Sequence, residues 1–259
     1  MTKKLKSDLG WSTADRIVVR GHDLAEELIG KVSLGDVAFL ELMGRLPTKK
    51  ESIVFNAITV TLVEHGMTPS AIAARLTYFG APESLQGAVA AGLLGMGDRF
   101  GGPVEGAARL LQEALRDVAP GTDLRPIAVL IVAEHRESKK QIGGLGHPVH
   151  KEVDPRTPKL FAIAAENGFS GRYVDLMQFV GEEASRSFGR HLPVNATGAI
   201  GAIASELGLP WRVCRGLAVM SRAIGLVAHI QEEIDEPLAA EIWSRVDEES
   251  SGHNRPGTD

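Results

Sequence analysis

An all-α fold with one short β-hairpin near its N-terminus is predicted by three features of this 259-residue chain. From Ala25 onward, apolar residues recur at i, i+3, i+4 and i+7, the period of a helix that buries one face. Glycine and proline stand at the ends of these runs, where helices start and stop. A convincing strand signal occurs once, in "DRIVVRGHDL", which alternates apolar and polar residues into an Arg-Gly turn.

Taken in order, "LAEELIGKV", "LGDVAFLELMGRL", "SIVFNAITVTLVEHG", "PSAIAARLTYFG" and "PESLQGAVAAGLLGMG" all read as helices. Thr68 is placed to cap a helix that opens with Pro69, "APES" opens the next, and Gly66, Gly80 and Gly97 stand at helix ends. Dense alanine over residues 71–92 predicts closely approaching helices. "RPIAVLIVAEHRESKK" fits a buried strand or a buried helix, which period alone does not separate, and is assigned here as a helix. The helical pattern resumes in "TPKLFAIAAENG", "RYVDLMQFVGEEASRSFG", "TGAIGAIASELG" and "PWRVCRGLAVMSRAIGLVAHIQEEI", and ends in "DEPLAAEIW".

This organisation divides into a loosely held N-terminus (1–13), a large helical domain (14–120, closed by 209–246), a smaller mobile domain carrying most loops (121–208), and a disordered charged tail (247–259).

Composition excludes several classes. With 44% hydrophobic residues the chain builds a core without staples. A net charge of −5 with no basic block gives no source for sequence-independent attraction to nucleic acid. The single cysteine, Cys214, lies in an apolar helical run and reads as a buried thiol. No run approaches the roughly 18 uninterrupted apolar residues of a membrane span, and the start lacks a signal-peptide core. A soluble cytoplasmic protein is expected.

Four segments carry candidate chemistry. In "GGLGHPVHKEVDPR" (143–156), Gly143, Gly144 and Gly146 clear the approach to His147, which suits a large flat or phosphorylated ligand; a plain turn histidine is the alternative. His147 and His150 lack a third ligand nearby, so no metal is predicted. "GDRFGGPVEGAARLL" has neither the dinucleotide-binding nor the Walker spacing, and places Glu105 in a first helical turn, where a solvated dipole partner is the simple reading. In "LPVNATGAIG", Asn195 and Thr197 are placed for helix capping. Arg222 stands on an otherwise apolar helix face and requires a carboxylate from protein or ligand. His65 and His229 read equally as satisfied core histidines.

Together these segments resemble the citrate synthase superfamily from about Asp15 to Trp243, most closely its citryl-CoA lyase branch, which includes the lyase module of ATP-citrate lyase. The carrying motifs occur in family order: "DRIVVRGHDLAEEL", "LVEHG", "GLLGMGDRFGGPVEGAA", "GLGHPVHKEVDPR", "VNATGAIGAIASELGLP" and "MSRAIGLVAHIQEE". The resemblance implies a citrate-synthase-like all-α homodimer with an active site in the cleft between a large and a small mobile domain. It implies a coenzyme A thioester as substrate, near Gly144, Gly146 and Lys151, and no metal. By position it places His147 at the hydroxyl or keto oxygen, Arg156 and Arg222 on carboxylates, and His65 and Asn195 on substrate, with His147, Glu105 and Thr197 at the catalytic positions.

Three departures qualify that likeness. The family's catalytic aspartate aligns with Thr197, or with Asn195 if the loop shifts. The synthases' enol-stabilising histidine aligns with Glu105; the lyase module also lacks that histidine, so this change favours the lyase branch. Near the end, "EIDEP" offers Glu236 where synthases donate an arginine across the dimer. The function this implies is interconversion of citryl-CoA with acetyl-CoA and oxaloacetate, with Glu105 taking over proton transfer at carbon. The alternatives are a related acyl-CoA lyase on a less carboxylated substrate, or a catalytically weak CoA-binding partner subunit.

Overall fold

The computed structural model describes residues 5–147 and 150–254. Its N-terminal sheet is antiparallel: β1 (Gly10–Ser12) pairs with β2 (Ile17–Val19), and β2 with β3 (His22–Asp23). The β2–β3 hairpin closes through Arg20 and Gly21, both at positive φ (49° and 85°), the conformation whose twist suits two-residue hairpins. Strand β1 falls inside the segment expected to be loosely held, because Trp11 and its neighbours find backbone partners in β2 that a local reading does not supply. "LAEEL" also departs from expectation: Leu24–Leu28 forms a single π-helical turn held by the Asp23 carboxylate, not a regular helix.

The helices follow as α1 (Leu34–Met43), α2 (Lys49–Val63), α3 (Pro69–Gly80), α4 (Leu85–Leu94), α5 (Gly102–Ala114) and α6 (Arg125–Glu137), then α7 (Arg156–Glu166), α8 (Arg172–Phe188), α9 (Ala196–Glu206), α10 (Trp211–Asp235) and α11 (Ala239–Ser251). Ser33 with Asp36, and Thr48 with Glu51, form capping boxes that open α1 and α2. Thr68 stands at the N-cap of α3 but makes no capping bond there, because its hydroxyl is used elsewhere. Gly66 has the expected left-handed φ of 72°, whereas Gly80 is simply the last residue of α3 and Gly97 opens a π-helical turn (Gly97–Gly101) leading into α5. Helix α11 continues past Asp247 to Ser251 and a 3-10 turn at Gly252–Asn254, so the helical pattern overrides the charge of the expected tail; residues 255–259 lie outside the described residues.

One apolar cluster contains Phe39, Phe55 and Leu111 together with Leu176, Ile203 and Leu217, so residues 121–208 and their flanking helices bury a common core. Phe39 and Phe55 meet edge to face at 5.4 Å. Helix α9 is almost wholly buried and lies tight on α5: a Cβ at Gly201 would stand 2.8 Å from the Ala107 side chain. Helix α10 is long and apolar enough to cross a membrane by length and composition, yet it buries Cys214, Leu217, Leu226 and Ile230 among the other helices.

Candidate active site

Two loops are stitched together at the N-terminus of α9. Leu145 and Val194 form an isolated antiparallel bridge, Gly146 N–H donates to Pro193 (2.8 Å), and Asn195 N–H donates to Gly144 (2.9 Å). Asn195 also donates its amide to the Gly146 carbonyl (2.6 Å) and accepts from Thr197 N–H and Gly198 N–H, so it caps α9 and ties down the histidine loop. At Gly144 (φ 89°) a Cβ would fall 2.6 Å from Gly198 Cα. That glycine is therefore required by the close approach of α9, and clearance for a ligand is not what demands it. Gly146 is also at positive φ, 67°.

The loop delivers His147 to a cluster of imidazoles. His147 stacks on His150 with centroids 4.6 Å apart, and meets His65, from the turn after α2, edge-on at 5.9 Å. His150 N–H donates to His147 Nδ1 (3.0 Å), which places the hydrogen of the neutral ring on Nε2. Desolvation, and then the charge of His150, lower the His147 pKa below its ordinary 6.5. Desolvation and the neighbouring Arg156 and Arg222 do the same for His65.

Arg156 opens α7 and is fixed by a buried carboxylate. Asp154 accepts from Arg156 Nε and Nη2 (both 2.9 Å), from Arg156 N–H, and from Ala196 N–H (2.9 Å) at the start of α9. Burial alone would raise the Asp154 pKa; the Arg156 and backbone donors overcome it and hold the carboxyl at about 2.

Arg222, on α10, is half-buried and has a thin set of partners. Nη1 donates to Thr68 Oγ1 at 3.5 Å, and the buried Nε has no hydrogen-bond partner among the described residues. This explains the missing cap of α3. It also meets the expectation of a carboxylate nearby only in part: Glu64 is close enough to act on Arg222 by charge, but its oxygens accept from His65 N–H and Gly66 N–H and face His229. An orphaned guanidinium N–H in a half-buried setting fits a ligand carboxylate.

His147 also borders a cleft of about 1170 Å³ lined by Glu105, Gly144, Gly146, Lys151 and Asn195. Its walls carry Arg99, Arg109, Arg136, Lys139, Lys140 and Arg190, while its carboxylates Asp98 and Glu105 are both held by Arg215. Arg215 Nε donates to Glu105 at 2.5 Å and Nη2 to Asp98 at 2.7 Å. Glu105 is thus anchored to α10 rather than being a solvated dipole partner. With its acidic side chains paired, the cleft presents net positive charge suited to phosphate groups. Thr197 is not among the cleft-lining residues; its hydroxyl donates to Asn195 Oδ1 (2.7 Å), a local capping bond. Cys214 is buried, and burial, followed by the Glu105 charge, pushes its thiol up to about 12.

The structure therefore groups His65, His147, His150, Arg156 and Arg222 on one side and Glu105 with the basic cleft on the other, with His147 at their junction. A model of the citrate synthase C-terminal domain matches residues 37–243. The chain belongs to the citrate synthase family. It is similar to citryl-CoA lyase from Hydrogenobacter thermophilus, with 38% identity and a TM-score of 0.81 over 90% of this chain and 88% of that one. It is 25% identical over 236 residues to a probable ATP-citrate synthase of Dictyostelium discoideum, covering 85% of this chain and 36% of that protein. The chain spans about a third of the length of such curated relatives. ATP citrate lyase from Methanothrix soehngenii, solved with citrate and coenzyme A, shares the fold, with a TM-score of 0.74 and 23% identity over 91% of this chain and 39% of that one. The likeness to the citryl-CoA lyase branch read from the motifs accordingly stands, as does the helical citrate-synthase-like fold.

Sequence reasoning missed Asp154, Glu64 and Arg215. Asp154 lies within the quoted "DPR" motif, and an Asp two residues before an Arg that opens a helix is a local signal for it. Glu64 and Arg215 carry no such signal, since their partners include residues far away in the chain, His229 and Glu105.

Proposed function

We propose that this protein is a citryl-CoA lyase, interconverting citryl-CoA with acetyl-CoA and oxaloacetate. The observation that carries it is the junction at His147: a carboxylate-binding cluster on one side, a large cation-lined cleft on the other, one imidazole between them. A ligand that is polyanionic at one end and carboxylated at the other is the match, and the relatives solved with citrate and coenzyme A support that class. The thioester's nucleotide end occupies the basic cleft, with Lys151 among its cations. Arg222 binds one carboxylate through its orphaned Nε, and Arg156, oriented by Asp154, binds another through Nη1.

Cleavage breaks the bond between the carbinol carbon and the thioester α-carbon. The hydroxyl becomes a ketone, and the α-carbon, released as an enolate, gains a proton. In the condensation direction Glu105 takes the α-carbon proton, His147 Nε2–H hydrogen-bonds to the ketone oxygen as it gains charge, and that oxygen takes a proton from solvent in the cleft; in cleavage the hydroxyl gives its proton to solvent and Glu105 returns one to the α-carbon. With Thr197 committed to Asn195, Glu105 is the group at the α-carbon proton, and Arg215 fixes its position. The apolar residues Val219, Ile224, Val227 and Ile234 remain exposed on α10 of the single chain, which supports a homodimer that covers them.

The test is direct. Purified protein given citryl-CoA releases acetyl-CoA and oxaloacetate, and the Glu105→Gln variant loses about 10²–10⁴ in kcat with a smaller change in KM. Release no faster than from a His147→Ala control defeats the lyase reading, and a Glu105→Gln chain at native rate removes Glu105 from the carbon step.

A further inference from the structure

A nearby carboxylate ought to pair with Arg222, and it does not. Glu64 acts on Arg222 by charge, yet among the described residues no ion pair joins them, and Arg222 Nε is left without a partner. The reason lies on the far side of Glu64. Its carboxylate accepts from His65 N–H (2.8 Å) and Gly66 N–H (2.5 Å), and faces His229 Nε2 at 3.1 Å. His229 is buried in α10, and its Nδ1 accepts from Arg75 Nε (3.3 Å) and lies 3.2 Å from Arg75 Nη2. That contact leaves the ring hydrogen on Nε2, aimed at Glu64. Arg75, fully buried in α3, is itself fixed by Glu232 and by Glu233 (2.9 Å), and Glu233 accepts from Leu238 N–H and Ala239 N–H at the start of α11.

We propose that the buried chain Glu233–Arg75–His229 is a positioning device that holds Glu64 off Arg222 and so keeps Arg222 open for the substrate carboxylate. A carboxylate released beside a partly desolvated guanidinium closes on it, and would compete with the substrate for the same N–H groups. His229 and Arg75 touch no substrate; they act through Glu64. The inference rests on Arg222 being the carboxylate-binding group of the proposed lyase, and it assigns a specificity-setting role to a histidine that reads from sequence as a satisfied core residue.

The decisive variant is His229→Asn. Its Oδ1 takes the place of Nδ1 and still accepts from Arg75, but no α10 side chain reaches Glu64, which keeps only its His65 and Gly66 N–H donors and is free to swing its other oxygen toward Arg222. In the ligand-free full chain, exchange of the Arg222 Nε–H with solvent, followed by NMR on arginine-labelled protein, slows about tenfold as Glu64 closes on it. With citryl-CoA, KM rises about tenfold and more than kcat falls. His229→Gln, whose amide accepts from Arg75 and donates to Glu64, restores both readouts toward wild type. Adding Glu64→Gln to His229→Asn removes the competing charge and also restores them, which a merely structural role does not permit. Unchanged Nε–H exchange in His229→Asn overturns the proposal. So does a His229→Asn chain that fails to fold and is not repaired by Glu64→Gln. Absence of citryl-CoA turnover by the wild type defeats the lyase reading alone, because the exchange comparison uses no substrate.

Discussion

Replacing His147 by alanine lowers kcat by about 10²–10⁴, the range typical of a positioned acid–base or oxyanion-binding group, while thermal stability changes little. The ring is only partly buried, and among the described residues its removal takes the acceptor from the His150 backbone N–H. His147→Gln, which presents an amide N–H near the place of Nε2–H, retains part of the rate; an acid–base role alone would give no such retention. The pH dependence follows from the same ring. Desolvation depresses the pKa of His147, and likewise that of His65, below 6.5, so the neutral donor persists on the acidic side of an ordinary histidine's range. For a histidine with a depressed folded-state pKa the unfolded chain binds protons more readily. Stability from the pair is therefore complete above pH about 6.5 and declines as pH falls toward the folded-state values. A kcat–pH profile set beside denaturant unfolding at several pH values checks both limbs. A rate that falls already as pH drops from 8 to 7 contradicts the assignment.

How far the sequence foretold this arrangement depends on the range of each interaction. Helices were legible because burial imposes its 3.6-residue period along the whole segment, and "RPIAVLIVAEHRESKK", ambiguous by period alone, forms α6 as assigned. Strand β1 was not, since three residues carry too little pattern and their pairing is supplied by β2. At the site, the Asn195 cap is local and was readable. What was not readable is which role a residue gives up for another. Thr68 has a cap's position and a cap's neighbour in Pro69, yet its hydroxyl faces Arg222 across the fold. Gly144 looks like clearance for a ligand until α9 is in place, when Gly198 turns out to need the space. Glu105 looks like a dipole partner until α10 brings Arg215 to it. Each reassignment comes from tertiary contact, which a local pattern does not encode.

Removal of the Asp154 carboxylate has the largest expected effect on folding. Asp154 is fully buried and serves Arg156 and the first helical N–H of α9 at once, so Asp154→Ala strands both. Breaking a buried ion pair on one side costs about 3–5 kcal/mol; because Arg156 keeps water on one face, the loss here is at the lower end, about 3 kcal/mol. Asp154→Asn retains an oxygen acceptor but sets an N–H₂ against a guanidinium donor, so it recovers only part. The folded-state pKa of about 2 lies below the ordinary 3.8, and the sign of the linkage follows. The stabilisation is fully present above the unfolded value and is lost as pH falls through 3.8 toward about 2. Urea unfolding of wild type from neutrality down to acid shows this loss, and Asp154→Asn, already without the charge, shows a shallower acid limb. Equal acid limbs in the two proteins mean that Asp154 is not the group titrating. The functional consequence is separable from the stability loss. In Asp154→Asn molecules that remain folded, Arg156 is no longer held by a bidentate carboxylate, so KM for a carboxylated substrate rises while the His147-dependent step in kcat is less affected. Because Ala196 N–H loses the same acceptor, the start of α9 loosens together with Arg156, and a fall in kcat equal to the rise in KM would show that α9, which carries the Asn195 tie to the His147 loop, had moved as well.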